Sequence, residues 1–188
     1  MLKRLVSTFA PLLFAISFAP AWADEYSDTV SIFKSAVESG NFFKTAYGYA
    51  VFPTVGKGGV VVGGAYGEGR VYEKGKLIGD TSVTQLSLGV QVGGQAYSEI
   101  VFFEDQRALK EFISGNFEFG ADASVVAITA AANASASTAG TSAGASGGKK
   151  DATTVGKYVK GMATFTVAKG GLMYETAVAG QKFSYKAH

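Results

Sequence analysis

The stretch VGKGGVVVGGAYGEGRVY, residues 55–72, carries seven glycines in eighteen positions around three consecutive valines. Two readings compete: a glycine-rich loop that cradles a phosphate, or strand that needs glycine for steric reasons. A P-loop requires glycine, four residues, then Gly-Lys followed by Ser or Thr. The Gly-Lys pairs are Gly56-Lys57, Gly75-Lys76, Gly148-Lys149 and Gly156-Lys157. The positions that should hold the first glycine are Val51, Arg70, Ala143 and Asp151, and no pair is followed by Ser or Thr. The dinucleotide fingerprint fails too. Gly64, Gly67 and Gly69 reverse its spacing, and RVYEKGKLIG after them has no helical stripe. What remains is glycine inside strands, where it permits sharp bends and close backbone approach.

The surrounding chain supports strands. The residues TQLSLGVQV place Thr84, Leu86, Leu88, Val90 and Val92 on one face and Gln85, Ser87, Gly89 and Gln91 on the other, a period of two with one face buried. EKGK around Gly75 marks a turn, and Gly93-Gly94 can bend the run that ends in AYSEIVFF. Tyr26, Val30, Phe33 and Val37 recur at intervals of four, three and four, the stripe of an amphipathic N-terminal helix, with Gly40 as its stop. A central helix is expected in EDQRALKEFISGN, ending at Gly115. ADASVVAITAAA reads as a further strand, and two or three more follow after Gly161. Residues 133–151, rich in Gly, Ala, Ser and Thr, read as a flexible loop and include a glycosylation sequon at Asn133. The expected fold is α+β: one curved, glycine-rich antiparallel sheet, open or closed toward a barrel, with the two helices.

The chain begins MLKRLVSTFAPLLFAISFAPAWADEYS, with a basic head, an apolar run and Ala21-Trp22-Ala23 in a small-x-small pattern. This predicts a signal peptide over residues 1–23, a mature domain over 24–188, and a periplasmic or secreted location. The chain has 17 basic and 15 acidic residues; the leader holds two of the basic ones, so the remainder is balanced. That speaks against a globally basic nucleic-acid binder. With no cysteine there is no disulfide, thiol nucleophile or lipidated cysteine.

Catalytic side chains are scarce. The one histidine, His188, is the last residue, where chain ends tend to disorder. Glu104 and Asp105 open a helix, where acids favour the dipole, and Asp122 and Glu175 have no visible partner. The expectation is a protein that is not an enzyme and needs no cofactor or metal; an acid-based hydrolase would require two carboxylates facing each other in a cleft.

Several segments together resemble the SYLF family, the Ysc-type lipid- and actin-binding module. They are AYGYAVFPTVGKGGVVVGGAYGEGRVY, SLGVQVGGQAYSEIVFFEDQRALKEF, FGADASV and AKGGLMYETAVAGQKF, in the family's order. One departure is VAITAAANASAS, where members commonly carry Gly-Pro-x-Gly. The resemblance implies a non-enzymatic phospholipid-binding domain whose N-terminal helix helps to engage the bilayer. Actin is not an expected partner for an exported bacterial-type protein. Peripheral binding calls for cations and for apolar side chains that enter the interface. Phe42, Phe43 and Lys44 set two rings beside a cation, and Lys57, Arg70, Lys74 and Lys76 cluster in two turns and one strand end. Four converging cations at about 1 kcal/mol each reach only about millimolar affinity, so apolar insertion must supply the rest. The competing expectation is an envelope structural protein that binds a protein partner without lipid.

Overall fold

The computed structural model describes residues 22–58, 62–88, 95–115, 117–120, 125–128, 156–169 and 180–188. Three short helices lead, α1 (Trp22–Ser35), α2 (Val37–Gly40) and α3 (Phe42–Thr45). Strands β1 (Gly48–Gly58), β2 (Val62–Glu73), β3 (Lys76–Leu88) and β4 (Gln95–Phe103) follow, then α4 (Gln106–Phe112), β5 (Val125–Ile128), β6 (Met162–Lys169) and β7 (Gln181–Ala187). They form one sheet in the order β5-β6-β4-β1-β2-β3-β7. The six strands from β6 to β7 are antiparallel, and β5 adds to β6 in parallel.

The opening stretch is therefore strand. Residues 55–58 complete β1 and residues 62–72 belong to β2, with the hairpin between them outside the described residues. Its glycines have a steric task. The β1 register shifts against β2 between Val51 and Thr54, and against β4 between Phe52 and Val55. Pro53 lies at this bulge, where a missing N–H breaks no ladder bond. The bulge presses on β2. A Cβ on Gly69 would lie 2.5 Å from the Phe52 ring and 2.8 Å from the Val51 carbonyl oxygen. One on Gly67 would lie 2.8 Å from the Thr54 carbonyl oxygen.

Both faces of the central strands are covered, which is why AVFP and IVFF read as unbroken apolar runs. Ala50, Phe52, Val55, Val101 and Phe103 enter one core with Ala108, Leu109 and Phe112 of α4 and Phe183 of β7. Val51, Ile100 and Phe102 enter the other, with Phe33 of α1, Phe165 of β6 and the partly buried Phe42 and Phe43. The first face is strongly concave. Three strands separate β7 from β4, yet the Gln181 side chain donates hydrogen bonds to the Tyr97 hydroxyl at 3.1 Å and to Glu99 at 3.0 Å. The curvature is present; closure is not. Among the described residues β5 and β7 remain the two edges of the ladder. Phe117 and Phe119 lie along β7, with Phe119 N–H to the Gln181 oxygen at 2.9 Å.

Three expectations need correction. The first helix does not run to Gly40: Ala36 is extended at ψ 137°, which ends α1 and starts α2. The Ser39 hydroxyl donates to the Phe33 carbonyl at 2.6 Å and so satisfies an α1 carbonyl left over by the break. The alternation holds over residues 84–86, but its buried face is the polar one. Gln85 is buried beside Val83 and Thr81, and Leu86 is 84 % exposed. The helical layer packs on the outer face from β5 across to β2, where Tyr72 joins its core and Arg70 lies over Tyr26, and no described β3 side chain joins that core. Finally, the terminus is held: the His188 N–H bonds the Ile78 oxygen at 3.1 Å, and its ring meets Asp80 at 2.7 Å.

Local rules hold elsewhere. Lys74 and Gly75 have φ of 50° and 81°, which makes the EKGK turn a type I′ hairpin. Asp105 caps α4 by accepting from the Ala108 N–H at 2.8 Å, so the Glu104–Asp105 pair opens a helix as expected. Gly115 adopts φ 80° just past α4. The expected leader up to residue 21, the expected loop over residues 133–151 with its sequon, Asp122, Glu175 and the expected turn at Gly170-Gly171 all lie outside the described residues.

Gly69→Ala is expected to lower unfolding free energy by about 2 kcal/mol or more through overpacking against Phe52. Gly58→Ala, whose added Cβ meets nothing within 4 Å, should shift it by under about 0.5 kcal/mol. Urea unfolding of the two variants checks the steric assignment.

Candidate functional site

The seven residues singled out for lipid contact do not form one patch. Lys57 pairs with Ala65 near one end of the β1–β2 ladder, and Glu73, next to Lys74, pairs with Gly48 at the other. Roughly 30 Å of strand separates them. Arg70 lies between. Its guanidinium stacks over Tyr26 of α1 at 4.2 Å and approaches Asp80 at 4.0 Å. Phe42 packs against Phe102, Tyr158 and Phe165, and Phe43 against Tyr49 and Phe102, with ring centroids about 5 Å apart. Both rings are half-buried within the helical layer.

One end of the molecule does gather cations. Lys74 lies in the I′ turn and Lys76 follows it, Lys74 lies over Tyr47 at 4.9 Å, and Tyr47 follows Lys44 by three residues. Lys34 lies over Phe43 at 5.4 Å. Between Lys34 and Lys44 the chain exposes Val37 almost fully, at 88 %, and Ile32 is exposed one turn earlier in α1. The opposite end of α1 is tied down. Glu25 accepts from the Thr54 hydroxyl at 2.8 Å and from Lys169 at 3.0 Å. The Thr54 hydrogen bond and then Lys169 hold its carboxyl below the usual carboxylate range.

A second constellation lies inside the curl. On the concave face, α4 fills the end near Phe103 with apolar side chains, and the end near Tyr97 is polar. Glu99 is fully buried there. One of its oxygens accepts from Gln181, and the other has no hydrogen-bond partner. Thr166 stands directly across from Glu99 in the β4–β6 register and is buried, and its hydroxyl has no partner; nor has the amide oxygen of Gln181. Gln85 is register partner to Gln181 and is also buried. Burial pushes the Glu99 carboxyl up to about 7, against a smaller opposing effect of the Gln181 hydrogen bond. Burial also raises the Tyr97 phenol, with nearby Glu99 adding to it.

Sequence reasoning passed over this cluster, although a signal was present. In YSEIVFF both alternating faces are apolar except for Ser98 and Glu99, and a carboxylate inside such a run has no solvent face to occupy. Gln85 and Gln181 could not be joined to it from sequence, since their meeting depends on the curl.

The chain thus has an open, strongly curved antiparallel sheet with helices on both faces and a buried polar cluster at one end of its interior. It belongs to the Ysc84 family, described as Las17-binding protein actin regulator, whose pattern matches residues 84–186. A curated relative is "Beta cell expansion factor A" of Aeromonas veronii, 24 % identical over 156 residues. The alignment covers 82 % of this chain and 51 % of the relative, so the chain spans about half the length of that protein. The SYLF resemblance is thereby established. The match contains Gln85, Glu99, Thr166 and Gln181; α1–α3, β1, β2 and all seven surface residues lie before it.

Glu99 makes stability depend on pH. Its carboxyl titrates near 7 in the fold, against 4.5 as the ordinary value, so the folded protein holds a proton that the unfolded chain has released. Stability therefore falls as pH rises from about 4.5 to about 7 and is level beyond, by about 3 kcal/mol in total from this group. Glu99→Gln should remove that fall and leave the variant more stable than wild type at pH 8, as read from denaturant unfolding between pH 5 and 8.

Proposed function

We propose that the chain is a non-enzymatic phospholipid-binding protein of the cell envelope, in peripheral contact with the membrane through the end of the helical layer. Family membership supports a lipid- or actin-related binding role, and for an exported chain the lipid is the accessible partner. Val37 is the observation that carries the choice of surface. It is an aliphatic side chain held away from both cores, between Lys34 and Lys44 along the chain, and Lys34 and Lys74 lie over Phe43 and Tyr47 of the segment that follows. Aliphatic insertion flanked by lysines is the arrangement that an anionic interface rewards. Phe42 and Phe43 support that surface from beneath, since their rings are engaged with Phe102 and its neighbours. Lys57 and Arg70 stand away from it.

A second reading rests on the sheet. Tyr66 and Leu86 are 54 % and 84 % exposed on the outer face of β2 and β3; Leu86 is packed in neither core, Tyr66 lines a groove with Glu25 and Tyr26 of α1, and the pair would suit a protein partner. The two readings use different residues.

Export is part of the proposal, with cleavage after Ala23 and a periplasmic or secreted product. N-terminal sequencing of the exported chain should begin at Asp24. Cleavage there keeps Glu25 and its bonds to Thr54 and Lys169.

Co-sedimentation with vesicles of anionic phospholipid at low salt should show binding. At about 1 kcal/mol per cation, Lys34→Glu with Lys44→Glu should weaken it by about 30-fold or more. Val37→Asp should weaken it at every salt concentration. Absence of vesicle binding, or loss only on changing Tyr66 and Leu86, would replace this reading with the protein-partner one.

A further inference from the structure

We propose that Glu99, Gln181 and Thr166 form an interior binding site for a primary ammonium group. Three oxygens define it: the free carboxylate oxygen of Glu99, the amide oxygen of Gln181 and the hydroxyl of Thr166, each buried and without a hydrogen-bond partner. They are neighbours. The Gln181 amide bonds the other oxygen of the same carboxylate at 3.0 Å, and Thr166 faces Glu99 across one ladder step. Buried acceptors are ordinarily satisfied, and a buried carboxylate ordinarily has a cationic partner.

Among the described residues, no cation faces Glu99 from any neighbouring strand. β4 supplies the phenol of Tyr97, β7 the Gln181 amide, β3 the Gln85 amide and β6 the Thr166 hydroxyl. The nearby lysines are turned elsewhere. Lys169 bonds Glu25 on the helical side, and Lys182 pairs with Glu118 at the surface. A primary ammonium carries one positive charge and three N–H donors, which answers one carboxylate and three acceptors. A quaternary amine offers the charge without the donors. Divalent cations want more oxygens and more negative charge than one carboxylate gives.

Binding is linked to protons. The guest pairs with ionised Glu99, so below pH 7 each binding event displaces one proton from the carboxyl. Affinity should rise about tenfold per pH unit between about pH 5 and 7, then level off. The site is separate from the membrane surface around Val37 and does not depend on it.

The test titrates the purified chain with methylammonium chloride, with tetramethylammonium chloride at equal ionic strength as control. The readouts are the thermal midpoint and the carboxyl carbon resonance of Glu99, from pH 5 to 8. Methylammonium should raise the midpoint and shift the resonance with the stated pH dependence, and tetramethylammonium should do neither. Glu99→Gln, which keeps the fold, should abolish the response, and Thr166→Val should weaken it about tenfold. Equal responses to the two amines, no response to either, or a response that survives in Glu99→Gln would each overturn the site.

A free amine and a lipid headgroup share this chemistry. If vesicles containing phosphatidylethanolamine bind better than phosphatidylcholine vesicles, and Glu99→Gln removes the difference, the guest is the lipid headgroup. If methylammonium binds and no such preference exists, it is a free amine. Val37→Asp should lose vesicle binding and keep the methylammonium response, which separates failure of the surface from failure of the site.

Discussion

The structure depends on one close approach: the Phe52 side of the β1 bulge against the bare backbone of Gly67 and Gly69. An ordinary β2 side chain would hold the two strands apart at this point. With hydrogen atoms in place of side chains, Phe52 turns into the concave face and reaches the ring of Phe183 on β7, 5.7 Å between centroids. A contact between the central strand and a far edge is possible only if the sheet curls. The same curl brings Phe183 to Phe112 of α4, at 4.8 Å, and so joins helix, edge strand and sheet centre in one core.

That curl also divides the molecule chemically. Its concave end near Phe103 is filled by α4, and its other end carries Gln85, Tyr97, Glu99, Thr166 and Gln181. A polar interior costs stability unless something is gained from it, and here the cost is concentrated in one carboxylate. The outer face is divided in another way. Helices cover β1, β4, β6 and the Arg70–Tyr72 end of β2, and the rest of β2 with β3 and β7 turns Tyr66, Thr84, Leu86 and Lys182 outward. The proposed membrane surface, the alternative protein-binding surface and the interior polar cluster thus fall in three separate regions. The matched family pattern spans the interior cluster and stops short of the helical surface.

Periodicity and turn chemistry carried well where the controlling forces are local. The I′ turn at Lys74-Gly75, the Asp105 cap and Gly115 after α4 depend on backbone conformations that neighbouring residues dictate. The exclusion of a phosphate loop at 55–72 was equally local, because the motif is a matter of spacing. Reading the first helix through to Gly40 failed for a tertiary reason. The chain must fold back over the end of α1, where Gly40 fits against the Lys34 carbonyl at a distance that leaves no room for a side chain.

By itself, then, the amino-acid sequence determined that this chain makes antiparallel strands with glycine as a steric device, where its principal turns and its central helix lie, and which family it belongs to. Only the tertiary structure decided which face of each strand is inside. Alternation gives two faces, and burial is set by what lies above each one: a helical layer, or nothing. Leu86 is outside and Gln85 inside for that reason. Tertiary structure also decided that Lys57 and Lys74 stand at opposite ends of a hairpin, and that Glu99 meets Gln181 from 82 residues away. Those distances follow from strand length and sheet curvature, which belong to the assembled sheet and to no single segment of it.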